Sequence, residues 1–147
     1  MENIMSDKRG KIYVGTSLRN SFRANQIQRR FELAGCEITY DWTTHGQVYN
    51  EEQLEKYGVQ EELGVKSADV FFMISPARNG SHCELGLARA FGVKIVLLLE
   101  SEQEDKTFYY LPELDGRPSV SRFKDATEAI NYTLKYLDLK HERSDIK

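Results

Sequence analysis

The sequence is poor in the features that mark secreted, membrane-embedded or nucleic-acid-binding proteins. Its two cysteines, Cys36 and Cys83, form neither a metal-ligand spacing nor a disulfide framework, so we expect reduced thiols. No apolar run approaches the roughly 20 residues that span a bilayer, and the N-terminus lacks the apolar stretch of a secretory signal. The formal net charge of −3 gives no reason to expect nucleic acid or an anionic membrane as a partner. We therefore expect a cytoplasmic protein without nucleic-acid or membrane partners.

The apolar residues that are present fall into short runs separated by helical patterns. Near-continuous runs rich in β-branched and aromatic residues predict buried strands at residues 11–15, 69–74 and 93–99, and a weaker run predicts one at 37–40. Apolar residues at helical spacing predict helices at residues 21–34, 51–67, 82–91 and 125–137. This alternation indicates one doubly wound α/β domain with a parallel sheet, in which ligands bind at the carboxyl ends of the strands.

The regular pattern assigns residues 11–139 to this domain. We expect residues 1–10 to be a flexible N-terminal segment and residues 140–147, which are almost wholly charged and polar, to be a flexible tail. Two segments interrupt the pattern, a long loop at residues 42–50 and a polar insertion at residues 100–118. The loops that follow the four predicted strands are therefore the candidate ligand sites.

The loop after the first strand, Gly15-Thr16-Ser17-Leu18-Arg19-Asn20, has two interpretations. It can form an anion site, because backbone N–H groups at a helix start, Ser17 and Arg19 can all donate to a phosphate. It can equally be a tight turn in which Ser17 or Asn20 caps the helix and Arg19 lies in solvent. The glycine spacing of the dinucleotide-binding and P-loop motifs is missing.

The loop after the second long apolar run leads into Gly80-Ser81-His82-Cys83-Glu84-Leu85-Gly86. Ser81-x-x-Glu84 has the form of a capping box, which predicts Ser81 as the N-cap of the helix and a structural role for Glu84. The same geometry permits a functional role. A carboxylate in the first helical turn stays ionised in the positive end of the helix dipole and faces the strand ends. There it could attack or stabilise an electron-poor anomeric carbon.

His82 and Cys83 lie beside Glu84 but do not predict a metal site. Consecutive helical residues point about 100° apart, so their side chains cannot easily converge on one ion. We expect neither a metal nor another cofactor.

Taken together, these motifs resemble the nucleoside 2-deoxyribosyltransferase-like superfamily, which includes the 2′-deoxynucleoside 5′-phosphate N-hydrolases. The resemblance covers roughly the first hundred residues and its most specific part is the segment from Gly80 to Gly86. The other matching segments are Ile12-Tyr13-Val14-Gly15 with Ser17-Leu18-Arg19, Ala68-Asp69-Val70, and Ala88, Ala90 and Val93-Lys94-Ile95-Val96.

The resemblance implies a flavodoxin-like fold with a doubly wound parallel five-stranded sheet and helices on both faces. It implies cleavage of an N-glycosidic bond, with Glu84 as the nucleophile that forms a glycosyl-enzyme intermediate and Tyr13 as the residue that orients it. It also implies a nucleoside or nucleotide substrate, and a homodimer or higher homo-oligomer whose subunits complete each other's sites. The residues implied in binding the substrate and its 5′-phosphate are Gly15, Ser17, Leu18, Arg19, Gly80 and Ser81.

Two positions depart from the superfamily's pattern. An aspartate that assists the leaving base in the family is replaced by Glu61, which could do the same work or be a surface charge. The transferase branch has an aspartate shortly before its nucleophile, where this chain has Arg78 and Asn79. A cation at that position favours an anionic substrate, and hence a nucleotide, over a bare nucleoside.

The second loop contains Asp41, Trp42 and His45, which could contact the base of such a substrate. Trp42 offers a flat surface for stacking, and Asp41 or His45 could reach the base edge. The alternative is that Trp42 packs on the core beneath the loop, and we favour this alternative modestly.

Three functions thus remain open from the sequence. The first is hydrolysis of the N-glycosidic bond of a (deoxy)nucleoside or its 5′-monophosphate. The second is the exchange of bases by a nucleoside 2-deoxyribosyltransferase. The third is a non-catalytic module that binds or senses a nucleotide.

Overall fold

The computed structural model describes residues 8–44, 46, 50–100 and 106–146, with side chains described as far as residue 143. Within these residues five strands alternate with four α-helices. The strands are β1 (Lys11–Gly15), β2 (Glu37–Ile38), β3 (Val70–Ile74), β4 (Lys94–Leu98) and β5 (Ser121–Phe123). The helices are α1 (Ser21–Leu33), α2 (Glu51–Ser67), α3 (Asn79–Phe91) and α4 (Ala126–Ile146).

The five strands form one parallel sheet in the order β2-β1-β3-β4-β5. Helix α1 connects β1 to β2 on one side of it in the sheet, whereas α2 and α3 connect to β3 and β4 on the other side. Because such crossovers are right-handed, α1 lies on one face of the sheet, and α2 and α3 lie on the other. Contact between Arg30 of α1 and Thr127 of α4, at 3.2 Å, brings α4 to the face of α1. All residues of β3 and β4 are buried, which explains why these strands are apolar apart from Lys94 at the start of β4. The predicted doubly wound parallel five-stranded sheet is confirmed.

Some predicted boundaries are wrong. β5 was not located from the sequence, because it has only three residues and Arg122 in its centre is exposed. Helix α3 begins at Asn79 rather than at residue 82, and α4 extends to Ile146. Most of the segment 140–147 is therefore helical, and its flexibility stays a prediction. The expected flexible segment 1–10 lies mostly outside the described residues.

Three cationic side chains hold the segment 107–120, which includes a short 3-10 helix at Thr107–Tyr110, against the sheet and α3. Arg89 and Lys94 are almost completely buried, although they are cations. They and Arg122 donate hydrogen bonds to backbone carbonyl oxygens of the segment. Arg89 donates to Pro112 and Pro118 at 2.7 and 2.8 Å, Lys94 to Ser119 at 2.6 Å, and Arg122 to Tyr109 at 2.9 Å.

Two ion pairs join helix α4 to the residues just before β1 and β3. Arg9, just before β1, pairs with Asp138 of α4 at 2.9 Å. Lys140 of α4 pairs with Asp69, just before β3, at 2.9 Å. These two contacts fix α4 across the amino-terminal ends of the strands.

Candidate active site

The side chains of Tyr13 and Glu84 meet at the carboxyl end of the sheet. Tyr13 lies in β1 with only 1% of its surface exposed, and its hydroxyl donates a hydrogen bond to Glu84 Oε2 at 2.8 Å. Its ring stacks on Phe71 of β3, with centroids 5.8 Å apart. The neighbouring strand thus fixes the ring, and the ring fixes the carboxylate on α3.

Two glycines permit this close packing. A methyl group added at Gly15 would lie 3.1 Å from Phe71 Cζ and 3.3 Å from Glu84 Oε1. A methyl group added at Gly64, on α2, would lie 3.0 Å from Tyr13 Cδ2 and 3.0 Å from Tyr40 Cβ. All four distances are shorter than ordinary van der Waals contacts, so a larger residue at either position would displace its neighbours. Gly15 therefore contributes to the site because it has no side chain and leaves room for Phe71 and Glu84.

The pKa of the Glu84 carboxyl is raised above its ordinary value, to about 7. Burial is the main cause, the hydrogen bond from Tyr13 lowers the pKa, and the charge of Glu61 raises it. The expectation that Glu84 simply stays ionised is therefore wrong at acidic pH, because desolvation outweighs any benefit from the helix dipole. Burial, followed by the charge and hydrogen bond of Glu84, raises the pKa of the Tyr13 hydroxyl far above its usual range.

Glu61 of α2 belongs to the same cluster of acidic groups. Its charge acts on Glu84 and Tyr13, and it contributes, after burial, to the raised pKa of Tyr40. Glu61 is half-buried, whereas its neighbour Glu62 is exposed. Of the two interpretations that the sequence left open for Glu61, a pure surface charge does not fit this position.

The capping box predicted for Ser81 and Glu84 is not formed. Helix α3 begins three residues earlier than the box requires, with Arg78 as its N-cap, and His82 N–H already donates to the Arg78 carbonyl at 3.0 Å. Ser81 thus has helical backbone and Glu84 lies in the second turn rather than the first. The Glu84 carboxylate therefore does not cap the helix, and instead accepts a hydrogen bond from Tyr13, which is distant in the chain.

A pocket of about 410 Å³ lies where the first loop meets the start of α3. It brings together five of the residues implied in substrate binding, and adds Thr16 and Arg78. Its walls consist of Thr16, Ser17, Leu18, Arg19, Arg78, Gly80 and Ser81. The turn that the sequence offered as the alternative is formed in part. Ser17 and Asn20 lie at the N-cap positions of the 3-10 helix at Leu18–Asn20 and of α1, and Arg19 is exposed, but neither side chain makes a capping hydrogen bond.

Apart from Thr16, the side-chain donors of this pocket make no hydrogen bond or ion pair among the described residues. Ser17 and Ser81 are each only 5% exposed as whole residues. Their hydroxyl oxygens are not fully buried, and they make no hydrogen bond among the described residues. The guanidinium groups of Arg19 and Arg78 are exposed and likewise make no hydrogen bond or ion pair within the described part of the chain. Four donors without an acceptor, around one pocket beside a helix N-terminus, suit an anionic group.

The second loop contributes to packing rather than to this pocket. Trp42 is 7% exposed and its indole N–H donates to the carbonyl of Val14 at 2.7 Å, which agrees with the core position that we favoured. Asp41 pairs with Arg29 of α1 at 2.8 Å and accepts a hydrogen bond from the backbone N–H of Thr43. These contacts account for both residues without a ligand. His45 lies outside the described residues.

A second pocket, of about 700 Å³, lies between the start of α3 and the 3-10 helix at Thr107–Tyr110. His82 of α3 joins the two elements. One of its ring nitrogens lies 3.0 Å from the carbonyl oxygen of Arg78, and the other lies 2.9 Å from the hydroxyl of the completely buried Tyr109. No sequence pattern pairs His82 with a residue 27 positions away, and its neighbours in the chain suggested only the metal site that we rejected.

No group of three or more histidine, cysteine, aspartate or glutamate side chains lies close enough to hold a metal ion within the described residues. None of the helices in that part of the chain combines the length and apolar character needed to cross a bilayer.

No protein-family model and no curated protein sequence matches the chain. Solved structures do resemble it over most of its length. The solution structure of BlsM is 23% identical, with a TM-score of 0.63 and coverage of 94% of both chains. The CMP N-glycosidase BcmB from Clostridium botulinum is 20% identical, with a TM-score of 0.57 and coverage of 87% of this chain and 98% of that chain.

A 2-deoxyribosyltransferase from Bacillus psychrosaccharolyticus is 19% identical, with a TM-score of 0.61 and coverage of 86% of this chain and 95% of that chain. At these identities the likeness shows a shared fold. The flavodoxin-like architecture implied by the sequence resemblance is thereby confirmed.

Proposed function

We propose that this chain hydrolyses the N-glycosidic bond of a nucleoside 5′-monophosphate, with Glu84 as the nucleophile. The observation that carries the proposal is the Tyr13–Glu84 hydrogen bond of 2.8 Å beside a pocket in which Ser17, Ser81 and two arginines have no partner within the described residues. The fold agrees with this proposal, since the neighbours of that fold include a CMP N-glycosidase and a 2-deoxyribosyltransferase.

The chemistry proceeds in two displacements. In the first, a Glu84 carboxylate oxygen bonds to the anomeric carbon of the sugar while the C–N bond breaks, and its electron pair leaves with the base. Glu61, in its protonated form, gives its proton to that base. In the second, Glu61 removes a proton from water as the water oxygen bonds to the anomeric carbon, and Glu84 is released as a carboxylate. Two inversions leave the anomeric configuration retained.

Tyr13 acts by orientation and charge. Its hydroxyl holds one carboxylate oxygen, and stabilises the ionised form of Glu84 that attacks. Because the attacking form is the ionised one and its pKa is about 7, kcat/KM should rise as the pH rises through that value.

The pocket at the first loop is proposed to bind the 5′-phosphate. Arg19 and Arg78 supply charge, and the hydroxyls of Ser17 and Ser81 supply further donors on short side chains. Removal of either arginine should raise KM for a monophosphate about tenfold or more, which is the range for a charge-assisted hydrogen bond, and leave KM for the corresponding nucleoside unchanged. A chain that exchanges bases would instead form a new nucleoside when a second base is added.

The decisive experiment incubates the protein with nucleosides, 2′-deoxynucleosides and their 5′-monophosphates, and measures free base by chromatography. We expect release from monophosphates, its loss in Glu84→Ala, and normal release in the control Glu62→Gln, which alters an exposed carboxylate on α2. Binding of an intact nucleotide without release of base would favour the non-catalytic module. Undiminished release in Glu84→Ala would remove Glu84 from the mechanism.

We also propose that the chain forms a homodimer or a higher homo-oligomer. Support comes from apolar side chains at the surface of α2 and α3. Val59 and Leu63 of α2 are 50% and 57% exposed, and Phe91 of α3 is 44% exposed. Light scattering coupled to size-exclusion chromatography measures the mass directly, and a monomer at all concentrations would contradict the proposal.

A further inference from the structure

A single buried hydroxyl connects the two walls of the phosphate pocket. Thr16 follows β1 and is 6% exposed. Its Oγ1 donates to the carbonyl oxygen of Ile74 at 2.7 Å, with the carbonyl oxygen of Pro76 in reach at 3.2 Å. The same oxygen accepts a hydrogen bond from Asn20 Nδ2 at 3.2 Å. One side chain therefore uses both its donor and its acceptor capacity between two loops.

The groups that this hydroxyl joins belong to opposite sides of the pocket. Thr16 and Asn20 enclose the loop that carries Ser17 and Arg19. Ile74 and Pro76 begin the loop that leads to Arg78 and the start of α3. An anion bound by donors from both loops requires a fixed separation between them, because charge-assisted hydrogen bonds are short and directional. The Tyr13–Glu84 contact does not pass through this bridge, since it joins β1 directly to α3.

The geometry points to Thr16 as a positioning residue that sets the width of the phosphate pocket and hence the preference for a nucleotide over a nucleoside. This inference rests on the proposed function and extends it, since it names a determinant of specificity that touches neither the sugar nor the base. A merely structural threonine would instead affect both substrates, and the stability of the fold, without discrimination.

The test compares Thr16→Val, which keeps the shape and removes the hydroxyl, with Thr16→Ser, which keeps the hydroxyl. For Thr16→Val we expect KM for the monophosphate to rise about tenfold, the effect of one lost buried hydrogen bond, with kcat and the nucleoside KM within about twofold of the wild type. Thr16→Ser should stay close to the wild type. An equal loss for both substrates, a fall in kcat alone, or failure of serine to rescue would overturn the inference.

Binding of inorganic phosphate, measured by calorimetry, separates this inference from the proposed function. If the wild type releases no base but binds phosphate, and Thr16→Val binds it about tenfold more weakly, the positioning role stands and the enzymatic proposal fails. If the wild type does not bind phosphate, the inference is overturned. Should Thr16→Val fail to fold, Asn20→Ala, which removes the donor to the same hydroxyl, should weaken phosphate binding in the same direction. No change in that variant would also overturn the inference.

Discussion

Replacement of Glu84 by glutamine should stabilise the protein at alkaline pH. The folded protein holds the proton of Glu84 up to a pKa of about 7, whereas the ordinary value is 4.5. Between these values the folded state binds a proton that the unfolded state has released, so the free energy of unfolding falls as the pH rises. The full difference corresponds to about 3 kcal/mol, and about 2.5 kcal/mol of it falls between pH 5 and pH 8.5. Glutamine has the same shape, accepts the bond from Tyr13, and does not ionise.

The assay is urea denaturation of the wild type and Glu84→Gln at several pH values and one protein concentration. Titrating groups that do not interact with Glu84 cancel in the difference between the two proteins. We expect the free energy of unfolding of the variant, minus that of the wild type, to increase by about 2–3 kcal/mol from pH 5 to pH 8.5. Glu62→Gln, at an exposed position of α2, is the matched control and should show no such trend.

The sign of this trend distinguishes two physical accounts of Glu84. If the carboxylate capped α3, its ionised form would be the stabilising one, and glutamine would cost about 0.5–2 kcal/mol with a penalty that grows as the pH rises. A flat or falling difference would therefore refute the conclusion that burial dominates this site. A rising difference would mean that the wild type gives up stability at neutral pH to keep a buried carboxylate available.

Three further outcomes follow from the same cluster. Tyr13→Phe removes the hydrogen bond that lowers the pKa of Glu84, so the carboxyl signal in carbon-13 NMR should titrate above about 7; an unchanged midpoint would contradict the role of that bond. Glu61→Gln removes a neighbouring negative charge, and the same signal should titrate below the wild-type value. Gly64→Ala should destabilise the fold by about 1–3 kcal/mol through contact with Tyr13, measured by urea denaturation. Its control is Gly58→Ala on the same helix, where no atom lies within 4 Å and a gain of up to about 1 kcal/mol is expected.

The sequence predicted those parts of the fold that depend on local pattern. β1, β3 and β4 are continuous apolar runs because both faces of the sheet are covered, and a run of that kind is visible without any knowledge of neighbours. β5 could not be found in this way. It contains Ser121, Arg122 and Phe123, and it becomes a strand only because β4 offers it a pairing edge.

The sequence predicted which residues form the candidate site better than it predicted how they contact one another. Ser81-x-x-Glu84 is a local pattern, and it gave a local answer, the capping box, which is wrong because Tyr13 lies 71 positions from the carboxylate that it binds. The bridge from Thr16 to Ile74 spans 58 positions and had no signal in the sequence. Contacts of this kind depend on how the strands align in the sheet. No local sequence pattern shows that alignment.

The backbone carbonyls that anchor the segment 107–120 have a consequence for acid tolerance. A carbonyl oxygen has no proton to gain between pH 3 and pH 7. The ion pair of Arg9 with Asp138 behaves differently, because the arginine holds the pKa of that carboxyl below its usual range and acid finally neutralises it. Acidification should therefore free α4 from the amino-terminal edge of the sheet first. Hydrogen exchange should then increase around residues 138–140 while the amides of the anchored segment stay protected.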